Sequence, residues 1–350
     1  DPATGKIPAG IRREELEFAT QLPKLLPSSQ QARLFSPVSQ RGPWNLGGRT
    51  RAVAIDVTDE NIILAGTVNG GLWRTTNGGV SWTRVSPKGQ NPSITHIAQD
   101  KRPGHTQTWY YTTGEGYGAS ASGAGAYYLG NGIYKSNDGG DTFTVTVTGS
   151  SANCTNYFGY STNGCGTGGQ ASYDMAICVN PLNANEVHIG GIICWKSTDG
   201  GTTFVAETAW SLPNTVGYNH ADIHALEWVG NNIYSGSDGG IYRSSDNGDN
   251  WSDISYGLGT RQFYRIACSK TSKRIVTGGA QDNGSSVLRY TGWLDWLGAD
   301  GMDGLVSPLD SNLMWGTSQY GSLYLSTNGG TSYNNITSPG TGNWVTPLAI

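Results

Sequence analysis

Fifty-two glycines in 350 residues, five copies of one octet, and seven strand-like runs at regular spacing predict an all-β fold. The specific expectation is a β-propeller of four-stranded blades, with six repeats visible and a seventh begun, and about seven to eight blades in the whole protein. Glycine weakens helix interiors and favours tight turns, so this composition argues against a mainly helical chain. No Gly-X-Y period is present, which excludes a collagen-like structure.

The octet reads Ser/Thr-x-Asp/Asn-x-Gly-x-x-aromatic. It occurs at Thr75–Trp82, Ser136–Phe143, Ser197–Phe204, Ser244–Trp251 and Ser326–Tyr333. Each copy follows a short β-like run such as Gly71-Leu72-Trp73-Arg74 or Gly240-Ile241-Tyr242-Arg243. The side chain at the third position (Asn77, Asp138, Asp199, Asp246, Asn328) can bond to the turn backbone. Glycine accepts a positive φ, and the aromatic residue packs as the next strand begins. These five Asp and Asn residues are therefore assigned a structural role as hairpin turns.

The runs that open blades are Thr50–Ile55, Ile94–Ala98, Asp174–Cys178, Ile223–Leu226, Tyr264–Cys268, Leu305–Leu309 and Val345–Ile350. Their starts lie roughly 40–50 residues apart, with one gap of about 80 before Asp174, and about 40 residues suffice for one blade. The repeat from Tyr264 has no octet and carries Gly279–Ser286 where a strand and turn are expected. The last run would leave a blade incomplete. The favoured expectation is that the natural protein continues past Ile350, because one strand cannot hide its own edge. The alternative is an outer strand supplied by Leu34–Val38. Residues 1–43 differ in character and read as an N-terminal arm, with a short helix in Ile11–Ala19, ahead of a propeller at 44–350.

Charged residues make up 14% of the chain and the formal net charge is −4. With no basic stripe, a nucleic-acid partner is not expected. No apolar run approaches the roughly 18 residues a membrane span needs. The opening Asp1-Pro2 is what a mature exported protein shows once its signal is removed. Cys154 and Cys165 flank a Gly/Ser/Asn/Thr/Tyr loop with no core of its own. A disulfide between them would restrain that loop and place the protein in an oxidising compartment, secreted or at the cell surface. No Cys-x-x-Cys pair or Cys/His spacing accompanies the five cysteines, so no metal is assigned.

In a four-stranded blade, first-to-second and third-to-fourth turns share one face. Second-to-third turns and blade links share the other. The octets occupy the first face. The second collects polar side chains beside glycines, which makes it the expected binding face. Its turns carry Glu115, Asp238, Gln281, Asp282, Asn283, Gln319 and Tyr320. Its links carry His220, Asp222, His224, Asp300 and Asp303. Two insertions, Tyr117–Gly130 and Gly149–Gln170, bring Tyr127, Tyr128, Tyr157, Phe158 and Tyr160, a composition suited either to recognition or to a covering loop. Strand alternation would put His220, Asp222 and His224 on one side, a legitimate ligand set, but a hydrogen-bonded polar cluster is the favoured reading. Asp300 and Asp303 could hold calcium, although two carboxylates without further oxygens are weak evidence. No other cofactor is expected.

The octets resemble the Asp-box, or BNR repeat, of the sortilin and sialidase-like propellers, in which the box is structural. Tyr264-Arg265-Ile266-Ala267 resembles the Phe/Tyr-Arg-Ile-Pro motif of sialidases without its proline. The stretch Ala65–Gly71 looks like xyloglucan-hydrolase propellers, which place a catalytic Asp where Val68 stands here. Over nearly the whole chain the similarity is to exported BNR-repeat propellers of Bacteroidota. It is carried by Gly47-Gly48-Arg49, Thr113-Gly114-Glu115, His220–His224, Ser237–Gly240, Gln262-Phe263-Tyr264, Gln281–Gly284 and Ser318–Gly321. That resemblance implies export, often by the type IX system through a C-terminal sorting domain, with the secretion machinery as a partner. The functional expectation is a binding or adhesion module for a glycan or protein, with no catalytic residue assigned. The alternatives are a glycoside hydrolase using a carboxylate pair on the same face, and a structural passenger of a larger surface protein.

Overall fold

The computed structural model describes residues 17, 18, 21, 46–88, 90, 93–114, 132–166, 168–171, 173–213, 215, 217–336 and 340–349. Apart from Glu17, Phe18 and Gln21, which are helical, the expected N-terminal arm lies outside the described residues.

Six four-stranded antiparallel sheets follow one another along the chain, each with its strands in sequence order. The first blade is β1–β4 (Thr50–Ile55, Ile63–Thr67, Leu72–Thr75, Thr83–Arg84) and the second β5–β8 (Ile94–Gln99, Trp109–Thr113, Gly132–Ser136, Thr144–Val147). The third is β9–β12 (Ala176–Val179, Val187–Gly190, Cys194–Ser197, Val205–Ala206) and the fourth β13–β16 (Ile223–Val229, Asn232–Ser237, Gly240–Ser244, Ser252–Asp253). The fifth is β17–β20 (Phe263–Cys268, Val276–Ala280, Ser285–Arg289, Gly292–Leu297) and the sixth β21–β24 (Gly304–Val306, Met314–Thr317, Leu323–Ser326, Asn334–Ile336). Serial meander sheets of this size are the blades of a β-propeller. The expected opening of a seventh blade is not formed. Val345–Ala349 pairs with no strand, and Leu348 N–H instead donates to Asp303 Oδ2 (2.9 Å).

The chain divides into two compact units, Asp1–Ser237 with Ile241–Ile254, and Asp238–Gly240 with Ser255–Ile350. In the first, cores form where one blade lies on the next. Leu64, Leu72, Ile94, Ile97 and Trp109 bury together, as do Ile177, Ile189, Ile193, Trp195 and Phe204, and Cys178, Cys194, Ile223, Leu226 and Trp251. Close approach is built in by glycine. A Cβ on Gly66 would fall 2.5 Å from Ile94 Cγ2, and one on Gly190 would fall 2.5 Å from Ile223 Cγ2. In the second unit, Val287, Trp296, Leu297, Val306 and Met314 form the core.

All five octets fold identically. The first hydroxyl donates to the third side chain, at 2.7 Å for Ser136 to Asp138 and for Ser197 to Asp199. The fifth residue's amide donates back to that hydroxyl, as Gly140 does to Ser136 at 2.9 Å. The third side chain accepts the seventh residue's amide at 2.9 Å in every copy. In four copies the fourth residue's amide also caps the first-to-second turn, as Gly139 N–H does Gln107 O. Burial pushes the carboxyls of Asp138 and Asp199 up, but these hydrogen bonds together outweigh it and hold both at about 2. The fifth blade, which has no octet, joins β19 to β20 through Tyr290 and Thr291 alone.

Candidate functional site

The first strand of four blades carries the same β-bulge, at Arg51, Thr95, His224 and Tyr264. A bulge leaves one residue unopposed and re-aims its side chain. In the first unit Arg51, Thr95 and His224, with Ala52, Val53, His96 and Met175, line an open cleft of about 420 Å³. Arg51 donates to Tyr173 O (2.9 Å), and the Tyr173 ring meets His224 edge-on at 4.8 Å. His96 Nδ1 accepts the Ile177 amide (3.4 Å), and burial pushes its pKa down, so it presents a neutral imidazole. The cleft therefore offers one fixed cation and imidazoles to a ligand. Arg51, Thr95 and His96 were not among the expected site residues. Arg51 and Thr95 hold the second position of their blade-opening runs, as His224 does, and that shared position was the signal for them.

The less favoured reading of His220, Asp222 and His224 as one ligand set is not met among the described residues. Alternation breaks because Asp222 has φ 63°, just before β13 begins. His220 Nδ1 lies 3.1 Å from Ala221 O, Asp222 Oδ1 accepts from Gln170 Nε2 (2.6 Å), and His224 turns to Tyr173. The insertion Gly149–Gln170 is closed by the Cys154–Cys165 disulfide, as expected. Its aromatic residues are mostly not a recognition surface. Tyr157 and Phe158 are buried, and Tyr157 packs its ring on Trp195 and Phe204 at 5.0 and 5.2 Å. A loop so rich in small polar residues needs apolar anchors of its own, and these two supply them. Tyr160 stays exposed. Glu115 and the Tyr117–Gly130 insertion, with Tyr127 and Tyr128, lie outside the described residues.

The second unit brings most of the remaining residues together. Asn283 Nδ2 bridges the carbonyls of Asp238 and Gln281, both at 2.9 Å, and Asn283 O accepts from Arg261. Asp300 Oδ1 accepts the Asp282 amide (2.8 Å) while Oδ2 accepts from Gln319 Nε2. Asp303 is buried. Its Oδ1 accepts Gly304 N–H (2.8 Å), its Oδ2 accepts Leu348 N–H, and Arg265 Nε stands 3.9 Å away. Each oxygen of Asp300 and Asp303 thus accepts one protein N–H, and neither residue belongs to a group of three metal-ligating side chains among the described residues. Beside this network Tyr320, at φ 59°, meets Trp344 edge-on at 5.3 Å, and Trp344 Nε1 reaches the Tyr264 hydroxyl (3.3 Å). Backbone bonds lock the two segments, from Tyr320 N–H to Trp344 O and from Gly342 N–H to Tyr320 O. Tyr320 is 54% and Trp344 42% exposed. Trp344 was not among the expected site residues, and the run that follows it, Val345–Ile350, read as a strand.

No family model and no curated protein matches the chain. Among solved structures it is similar to the GH74 enzyme of Niastella koreensis, at 19% identity over 83% of this chain and 45% of that one, with a TM-score of 0.43. It is similar to the GH74 xyloglucanase of Xanthomonas campestris at 17% identity, over 83% and 46%, with a TM-score of 0.42. For YCF48 from Cyanidioschyzon merolae the figures are 11% identity, 84% and 87%, and a TM-score of 0.41. The chain spans less than half the length of these two GH74 proteins.

Proposed function

We propose that the chain is an exported propeller module that binds a carbohydrate through its second-to-third turns and blade links. The observation that carries this reading is Tyr320. It is a large aromatic residue held in the left-handed region, half exposed, and braced by an equally accessible tryptophan. A side chain with a Cβ pays about 1–3 kcal/mol for that conformation, and such strain collects where function requires it. Six non-glycine residues among those described have a positive φ, and five of them (Cys154, Asp222, Asp282, Ala299, Tyr320) lie on this class of loop. The apolar faces of a sugar ring suit the Tyr320–Trp344 pair, and its hydroxyls suit the amide oxygen of Gln319 alongside.

The carboxylate geometry favours binding over hydrolysis. A glycosidase aims two carboxylates at the scissile bond, whereas Asp300 and Asp303 are both spent on protein donors. Val68, where the xyloglucan-hydrolase pattern places its Asp, offers no acid. Export is supported by the Cys154–Cys165 disulfide. Membership of the BNR-repeat propellers is supported by the octets' shared hydrogen bonds, and type IX export rests on the resemblance alone.

Glycan-array and calorimetric measurements with the wild-type chain, Tyr320→Ala and Trp344→Ala test the proposal. Expected are retention of at least one polysaccharide class, at least tenfold weaker binding in either variant, and no turnover. Binding that both substitutions leave intact, or turnover abolished by Asp300→Asn or Asp303→Asn, would sink it.

A further inference from the structure

Deep in the third blade, a cluster of ionisable groups has no place in the proposed binding surface. His188 on β10 is fully buried, and both of its ring nitrogens face carboxylates. Nε2 lies 3.0 Å from Glu186 Oε1 and Nδ1 lies 2.8 Å from Glu207 Oε2. The thiol of Cys194, at the start of β11 and fully buried, points at the same Glu207 Oε2 (3.3 Å). Glu207 is 4% exposed at its side chain, and its Oε1 makes no hydrogen bond, with Lys196 Nζ standing 3.7 Å away. The fourth blade closes the site. The Trp228 ring meets His188 edge-on at 5.7 Å, and a Cβ on Gly248 would collide with Glu207 Oε1 at 2.1 Å.

We propose that His188 Nδ1, Cys194 Sγ and the carboxylate of Glu207 form a binding site for a zinc-class dication. The three donor residues hold their ligand atoms within 4.8 Å of one another. Tetrahedral zinc keeps such atoms roughly 3.3–3.7 Å apart, as its bond lengths of about 2.0–2.3 Å require, so side-chain shifts of up to about an ångström bring them onto one ion. A metal-bound imidazole normally donates its other N–H to a carboxylate, and Glu186 is in that position. Glu207 Oε1 makes no hydrogen bond, which leaves this buried carboxylate short of a partner that an ion would supply. The thiolate selects zinc, cobalt or cadmium over magnesium and calcium.

A thiolate, not a thiol, ligates a metal, so binding sends the Cys194 proton to solvent and the dication takes its place beside Glu207. Backbone bonds preset the spacing. Glu207 N–H donates to Cys194 O (2.8 Å), and Cys194 N–H donates to the Thr208 hydroxyl (2.9 Å).

The test uses the full chain in a Cys268→Ser background, because Cys268 is an exposed free thiol. After dialysis against a chelator, Co²⁺ is added. The expected result is a thiolate-to-cobalt charge-transfer band that saturates at one equivalent, is displaced by Zn²⁺, and is absent in Cys194→Ser. Glu186→Gln should keep the band and weaken affinity by about 10–100-fold. Calorimetry in two buffers of different ionisation enthalpy should show proton release on binding, which Cys194→Ser reduces. Should Cys194→Ser not fold, a zinc-dependent rise in thermal midpoint of the background protein decides instead. No band and no rise at tenfold excess metal, or a band that survives in Cys194→Ser, would overturn the proposal.

Discussion

The two classes of loop solve the same geometric problem in opposite ways. The octet turns repeat one hydrogen-bond pattern five times and place their positive φ on glycine at nine of ten positions, Asn247 being the departure. The turns and links of the other class share fewer bonds, such as the amides of Val68, Gly114 and Gln281 donating to the residue before their blade's first strand, and several place positive φ on residues with side chains. A turn optimised for stability spends glycine where the backbone is left-handed. A turn that keeps a tyrosine there gives up stability for what that side chain does. Repetition therefore marks scaffold, and idiosyncratic strain marks the candidate site.

Three single substitutions and one double replacement can break or sharpen this contrast. Ser197→Ala removes a buried hydroxyl that serves both Asp199 and the Gly201 amide. Leaving these groups unpaired should cost about 1–3 kcal/mol in urea unfolding, with carbohydrate affinity unchanged; a loss of affinity would blur the two classes. Tyr320→Gly relieves the left-handed backbone, worth about 1 kcal/mol, and forfeits the Trp344 contact. Stability should hold or rise slightly while binding is lost, and a clear destabilisation would make Tyr320 a structural residue. Asn247→Gly restores the pattern of the other octets and should stabilise by at most about 1 kcal/mol in the same assay.

The smallest effect is on pH. Asp138 and Asp199 sit at about 2 in the folded protein, below the ordinary 3.8, so their contribution is complete above about 3.8 and is lost as pH falls toward 2. Asn77 and Asn328 occupy the same position and do not titrate. Replacing both aspartates with asparagine should therefore flatten the acid limb of the stability curve. Because both carboxyls are near the surface, solvent screening keeps the change small, and an unaltered limb would mean the octet bonds are as strong with a neutral acceptor.

Much of this was legible in the residues. The octets, the blade-opening runs and the Cys154–Cys165 clip depend on groups a few positions apart, and short-range backbone chemistry is written locally. The errors have the same origin in reverse. Val345–Ala349 reads as a strand by its apolar pattern, but a strand needs a partner, and Leu348 finds Asp303 instead. Tyr157 and Phe158 read by composition either as recognition residues or as part of a covering loop, and the loop that carries them folds inward onto Trp195 and Phe204. The expected alternation at His220–His224 failed at one residue, Asp222, whose left-handed backbone turns its neighbours apart.

By itself, then, the sequence determined an all-β chain of four-stranded blades, the turns that close them, and the loop class on which polar residues collect. Each of these follows from residue pattern within one hairpin. Only the tertiary structure decided which carboxylates are already spent on backbone amides, that Tyr320 and Trp344 meet, and that His188 lies between Glu186 and Glu207 with Cys194 at their side. Such meetings depend on how strands register and blades stack, over separations at which spacing in the sequence carries no distance information.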